Sequence, residues 1–141
     1  MKISQLFENE PIRLKGFKVS SDDTPASAFM VDFDQMTHEH PFTHGMRYFE
    51  DGPVLISMSA SRDVDDQVEI KDIQSKARGA GARALARICD LADKHDVSIE
   101  LYAHGYADVP TDKLVSYYER FGFECRNDMA DGQDMVRRPH S

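Results

Sequence analysis

Apolar and polar residues alternate from Val54 to Ser61, placing Val54, Ile56, Met58 and Ala60 on one side. That period of two predicts a half-buried strand. Met46 to Glu50 predicts a strand before it, joined through the turn signal Asp51-Gly52. Val68 to Ile73 predicts a strand after it, beyond the polar turn Asp63 to Asp66. These turns are too short for helical crossovers, so the three strands read as an antiparallel meander. The period then changes. Ala82, Leu85, Ala86, Cys89 and Ala92 recur at helical spacing between Ala82 and Lys94, and Ile88 and Leu91 widen the stripe. Asp90 and Lys94 form a favourable i,i+4 pair on another face. Val97, Ile99, Leu101 and Ala103 alternate again. Because a helix joins this strand back to Val68–Ile73, the two should run parallel.

Thr111 reads as the N-cap of a last helix, with Asp112 in its first turn. Leu114, Tyr117, Tyr118 and Phe121 form its inner stripe, and Gly122 suits a left-handed end against which Phe123 packs back. The tail from Phe123 to Arg137 has room for two short strands around the Asp131-Gly132 turn. The first 45 residues are less regular. Ile12, Leu14, Phe17 and Val19 fit one strand or two, and Ala28 to Phe33 fits a short strand or a helical turn. Thr37 to Gly45, with its proline and glycine, reads as a polar loop.

At 141 residues the chain is expected to form a single domain, 1–141. Its apolar content of 40% and charged content of 30% are those of an ordinary soluble protein. There is no apolar run of membrane-spanning length, so no membrane partner is expected. Met1 to Glu8 lacks the apolar centre of a signal peptide. Cys89 and Cys125 have no metal-ligand spacing and read as reduced thiols, which together point to a cytoplasmic protein. The net charge of −8 argues against a nucleic-acid partner and suits a cationic amine or a basic protein segment. His38, Glu39, His40 and His44 have the residue types of a zinc site, but nothing nearby supplies a matching fourth ligand, so the reading is a polar loop and no metal is assigned.

The run Lys76-Ala77-Arg78-Gly79-Ala80-Gly81-Ala82 carries the chemistry. It follows a strand and opens a helix. Glycines let the backbone approach a phosphate closely, and the free N–H groups of a helix's first turn favour its charge. The run lacks the Gly-Lys-Ser/Thr ending of a P-loop. It also lacks the third glycine and downstream acidic residue of a dinucleotide fold. A second element, Tyr117-Tyr118-Glu119-Arg120-Phe121-Gly122-Phe123-Glu124, lies one strand further on. Together the two resemble the Gcn5-related N-acetyltransferase (GNAT) family. Lys76-x-x-Gly79-x-Gly81 is similar to its Gln/Arg-x-x-Gly-x-Gly/Ala motif, with lysine as a departure that keeps a long donor-bearing side chain. Tyr118 to Phe123 is similar to its Tyr-x-x-x-Gly-Phe motif. The resemblance runs from roughly Val54 to Val136, taken as the acetyl-CoA-binding core 54–136. Residues 1–50 are poorly matched.

The resemblance implies an α/β (α+β) fold: a mixed sheet, mostly antiparallel, with one splayed parallel strand pair and helices on both faces. It implies an acetyl-CoA-dependent N-acetyltransferase that passes acetyl directly to a primary amine of a protein or small molecule. Acetyl-CoA is then the co-substrate, and a homodimer is among the open states. Arg78, Gly79, Ala80, Gly81, Ala82 and Arg83 would hold the diphosphate. Ile73, Gln74 and Ser75 would pair with the pantetheine arm and polarise the thioester. Tyr118 is the expected general acid. Glu69 is the candidate base by position, with Glu100 and His104 behind it. The alternative is a non-catalytic acyl-CoA-binding or protein-interaction module that keeps this fold.

Overall fold

The structure is a computed structural model, and it describes residues 24–50, 54–75, 79–105, 109–128 and 132–140. The expected strand or strands among Ile12, Leu14, Phe17 and Val19, the turn residues Asp51, Gly52 and Asp131, and Lys76, Ala77 and Arg78 lie outside these residues.

Among the described residues, three helices and seven strands follow one another as α1 (Pro25–Met36), β1 (Thr37–Glu39), β2 (Arg47–Phe49), β3 (Val54–Ala60), β4 (Gln67–Ser75), α2 (Ala80–His95), β5 (Ser98–Ala103), α3 (Thr111–Glu119), β6 (Glu124–Asp128) and β7 (Gln133–Arg137). The strands form one sheet in the order β1-β2-β3-β4-β5-β7-β6. Only β4 and β5 pair in parallel, and every other pair is antiparallel. The meander, the crossover and the terminal hairpin therefore stand as the periodicities predict.

The segment Ala28–Phe33 is settled as helix. Thr24 accepts a hydrogen bond from the N–H of Ser27, and Pro25 opens the first turn with its fixed φ. The four-residue spacing of Phe29 and Phe33 stacks their rings 6.2 Å apart toward the core. Thr37 to Gly45 is not wholly loop, because Thr37–Glu39 pairs with β2. Thr37 is buried there; its hydroxyl donates to the Phe33 carbonyl and accepts from Arg47 Nε. The helix expected from Ala82 begins two residues earlier. Its inner stripe takes Ala84 and leaves Ala86 exposed. Thr111 does not cap α3. Pro110 occupies the cap, and the Thr111 hydroxyl instead accepts the N–H of Gly105. Gly122 takes the left-handed conformation expected of it, with φ +95°.

Side-chain alternation gives the sheet two unlike faces. Ile56, Val68, Ile70, Ile99, Leu101, Ala103, Met135 and Arg137 share one face and are all buried. Glu69, Glu100, Tyr102 and Asp134 share the other and keep contact with solvent. The three described helices all pack on the apolar face. α1 lies beside α2, with His95 Nε2 2.7 Å from Asp32 Oδ2 and its ring edge-on to Phe29. α3 joins the same side through Tyr118, whose ring packs edge-on against Phe123. The reason is the polarity of the second face, where Gln67 donates to Glu100 and Arg126 pairs with both Glu100 and Asp134.

Arg137 ties the layers together. It is 4% exposed, donates two hydrogen bonds to the Asp93 carboxylate of α2 at 2.9 and 3.1 Å, and a third to the Phe121 carbonyl after α3. A forked guanidinium matches a carboxylate in this way. The pair holds the Asp93 carboxyl below its ordinary value of 3.8. A depressed carboxyl stabilises the fold fully above its ordinary value and loses that contribution as pH falls through the folded value. Asp93→Asn should therefore cost about 1–2 kcal/mol at neutral pH. Thermal melting should show the wild-type and variant curves converging between about pH 5 and about pH 3. Gly79→Ala, at φ +80°, should cost about 1–2 kcal/mol by the same measurement, because a Cβ is strained in the left-handed region.

Candidate active site

The parallel pair β4·β5 is hydrogen-bonded only along its first residues, Gln67↔Ser98, Val68↔Ile99 and Glu69↔Glu100. Beyond them β4 continues to Ser75 against β3, and β5 continues to Ala103 against β7, but the two no longer pair with each other. The strands splay. A bulge in β4 sits where they part: Ser57 and Met58 pair with Asp72 and Ile70, leaving Lys71 as the extra residue. A bulge bends its strand and increases the local twist, and so re-aims the residues beyond it. The splayed edge of β4 contains Ile73, Gln74 and Ser75, the residues expected to face a pantetheine arm.

α2 starts above this gap. Gly79 is its N-cap at φ +80°, no side chain caps it, and its first hydrogen bond runs from Arg83 N–H to the Gly79 carbonyl. The N–H groups of Ala80, Gly81 and Ala82 are thereby left without intrahelical acceptors. The exposed Arg83 guanidinium folds back over the same turn, its Nη1 lying 3.4 Å from where a Gly79 Cβ would stand. Gly79, Ala80, Gly81, Ala82 and Arg83 are thus brought together around one helix start. Arg78 lies outside the described residues.

A cleft of about 280 Å³ opens between this helix start, the splayed β4 and α3. Ile73, Gly81, Val109, Lys113, Leu114, Tyr117 and Tyr118 line it. Tyr118 sits on the inner face of α3, buried between Tyr117 and Phe123. Burial pushes the Tyr117 phenol up from its ordinary value, so it stays neutral. Two of the expected site elements, the β4 edge with the helix start and Tyr118, therefore meet in one cleft. Glu69 does not join them. It lies on the polar face, at the last level where β4 and β5 are still paired.

Val109, Lys113 and Leu114 were not legible as cleft residues. Their positions depend on how α3 docks, which the apolar stripe of that helix does not fix. Cys89 is buried on the inner stripe of α2, and desolvation pushes its thiol up to about 11, so it carries no thiolate at neutral pH. Among the described residues no group of three His, Cys, Asp or Glu could hold a metal ion. The ring of His40 accepts the N–H groups of Phe42 and Thr43 and so shapes its own turn. No described helix is long and apolar enough to cross a membrane.

No family model matches the sequence, and no curated protein matches it. Solved structures do match. Ard1 from Thermoplasma volcanium aligns over 82% of this chain and 80% of its own, at 15% identity and a TM-score of 0.51. PH1933 from Pyrococcus horikoshii OT3 aligns over 68% and 64%, at 17% identity and a TM-score of 0.50. The PaiA N-acetyltransferase from Thermoplasma acidophilum, solved in complex with coenzyme A, aligns at 16% identity and a TM-score of 0.47. That alignment covers 60% of this chain and 52% of the PaiA chain, about half its length. The alignments with Ard1 and PH1933 extend over most of the mixed sheet's chain, 82% and 68% of its residues. The chain shares its fold with Ard1 and PH1933.

Proposed function

We propose that this chain transfers acetyl from acetyl-CoA directly to a primary amine. One observation carries the reading: the gap between β4 and β5 opens into a cleft that has at one end a helix start no side chain caps, and a buried tyrosine in its wall. A long thioester with a diphosphate at its middle fits such a slot. The N–H groups of Gly79, Ala80, Gly81 and Ala82 would take the diphosphate, with charge-assisted help from Arg83 and from Arg78 of the preceding loop. The unpaired edge of Ile73, Gln74 and Ser75 would bind the pantetheine amides as an added strand does. A backbone N–H on that edge would polarise the thioester carbonyl as charge develops on it. Tyr118 would protonate the departing thiolate. Glu69, Glu100 and His104 remain the candidates to take the proton of the amine, and all three belong to the polar face.

The acidic surface, at −8 net, favours a cationic acceptor. A protein lysine, a protein N-terminus, a polyamine and an amino sugar all present that group.

Calorimetric titration should find micromolar binding of both acetyl-CoA and CoA, and Gly81→Glu should abolish it by placing a carboxylate at the helix start. Absence of binding to wild type would sink the proposal. Tyr118→Phe should lower kcat by about 10²-fold or more while leaving the KM for acetyl-CoA unchanged. An unchanged kcat would remove Tyr118 from the chemistry.

A further inference from the structure

We propose that His104, held by Tyr102, is the group that receives the amine's proton, and that the acceptor enters from the polar face of the sheet. The inference rests on the acetyl-transfer reading above.

Position along the splay decides among the candidates. Glu69 and Glu100 face each other at the last paired level of β4 and β5, where the strands are closed. Glu100 is further occupied, accepting from Gln67 Nε2 at 3.1 Å and pairing with Arg126. Carried past that level, the same parallel register brings residue 104 level with residues 73 and 74. Those are the residues of the β4 edge at which the thioester would sit. A strand advances about 3.3 Å per residue, so Glu69 lies roughly 13 Å short of that point.

The face is the second argument. Tyr102 pairs with Asp134 in the β5·β7 ladder and projects from the polar side, where it is 45% exposed. The His104 ring stacks on it, with centroids 6.1 Å apart and planes 28° apart, so His104 stands on the same side. Tyr118 comes from the opposite, helix-covered side. The gap thus has an acid donor on one side and an imidazole on the other, and a thioester between them would be flanked by both.

Tyr102 is itself seated. A Cβ on Gly132 would lie 2.8 Å from both Cζ and the hydroxyl of Tyr102, and 2.5 Å from the Ala103 carbonyl. Only a residue without a side chain lets β7 begin that close under the ring. Tyr102 is therefore a positioning residue for His104.

An ammonium entering from the polar face gives one proton to the imidazole of His104, and its nitrogen attacks the thioester carbon. The C–N bond forms and the C–S bond breaks as the tetrahedral adduct collapses. Tyr118 gives its proton to the thiolate and regains one from the nitrogen of the adduct. His104 releases its proton to solvent. The products are an amide and the CoA thiol, with no change in oxidation state.

The test uses the full chain with ring-labelled histidine, followed by NMR while acetyl-CoA is added. The His104 resonances, assigned by their loss in His104→Gln, should shift on saturation, while those of His38, His40, His44, His95 and His140 stay. Saturation by calorimetry without a His104 shift would overturn the proposal and leave the cofactor reading intact. Absence of binding would remove both. Transfer is then measured with spermidine, a lysine-bearing peptide, a free-N-terminal peptide and glucosamine. His104→Gln should lower kcat by about 10²-fold at unchanged KM for acetyl-CoA, and Glu69→Gln should change it less than about twofold. The reverse ranking overturns the assignment. So does a wild-type chain that binds acetyl-CoA and transfers to none of these amines, since that is a module without a working base.

Discussion

The rest of the site depends on the parting of β4 from β5. Two parallel strands in register satisfy each other's backbone groups and leave no space between them. Here the pairing stops after Glu69↔Glu100, and each strand continues with a partner on its far side only. Unpaired backbone groups inside a sheet are costly unless something else meets them. A wedge of that kind persists because the surrounding structure holds both strands apart, and it invites a ligand that completes the missing bonds. The bulge at Lys71 gives β4 its change of direction at the point of parting.

Both strands are held firmly from their outer sides. β3 runs along the whole of β4, and β7 runs along β5 from Ile99 to Ala103. On the apolar face, Arg137 fastens β7 to α2 through Asp93 and to the end of α3 through the Phe121 carbonyl. α2 and α3 are the two helices whose ends and faces bound the cleft. A single buried guanidinium therefore fixes the relative placement of the helix start and of Tyr118, although it touches neither. The conformational entropy of ordering these parts is spent on folding, so a bound thioester would meet preset groups.

The division of the sheet into an apolar and a polar face would also divide the labour. The proposed cofactor-binding and acid groups gather on the side that the described helices cover, and polar, partly hydrated side chains gather on the opposite side. An acetyl donor held within the gap would be approachable from the solvent side without displacement of the helices. An incoming ammonium also meets acidic neighbours there, Glu69, Glu100 and Asp134 among them.

The sequence by itself determined the elements and the direction of the chain through them. The two-residue alternation of Val54–Ser61 and of Val97–Ala103, and the helical stripe around Leu85 and Cys89, reflect which side of each element meets the core, and that is a local property. The parallel pair followed from the helix between its strands, and the glycine loop announced a helix start able to hold an anion. Other features could not be read, because they are made by contacts distant in the chain. Thr37–Glu39 looked like loop, since a three-residue edge strand has no period of its own and exists only through β2 and Arg47. Thr111 looked like a cap until Gly105 claimed its hydroxyl. Glu69, Glu100 and His104 were equivalent as letters. Their difference arises only where the strands part, because a carboxylate beside a closed ladder and an imidazole level with an open one differ in what they can reach. Local periodicity fixes what each segment is, and the packing of segments remote in sequence decides which side chains share the gap.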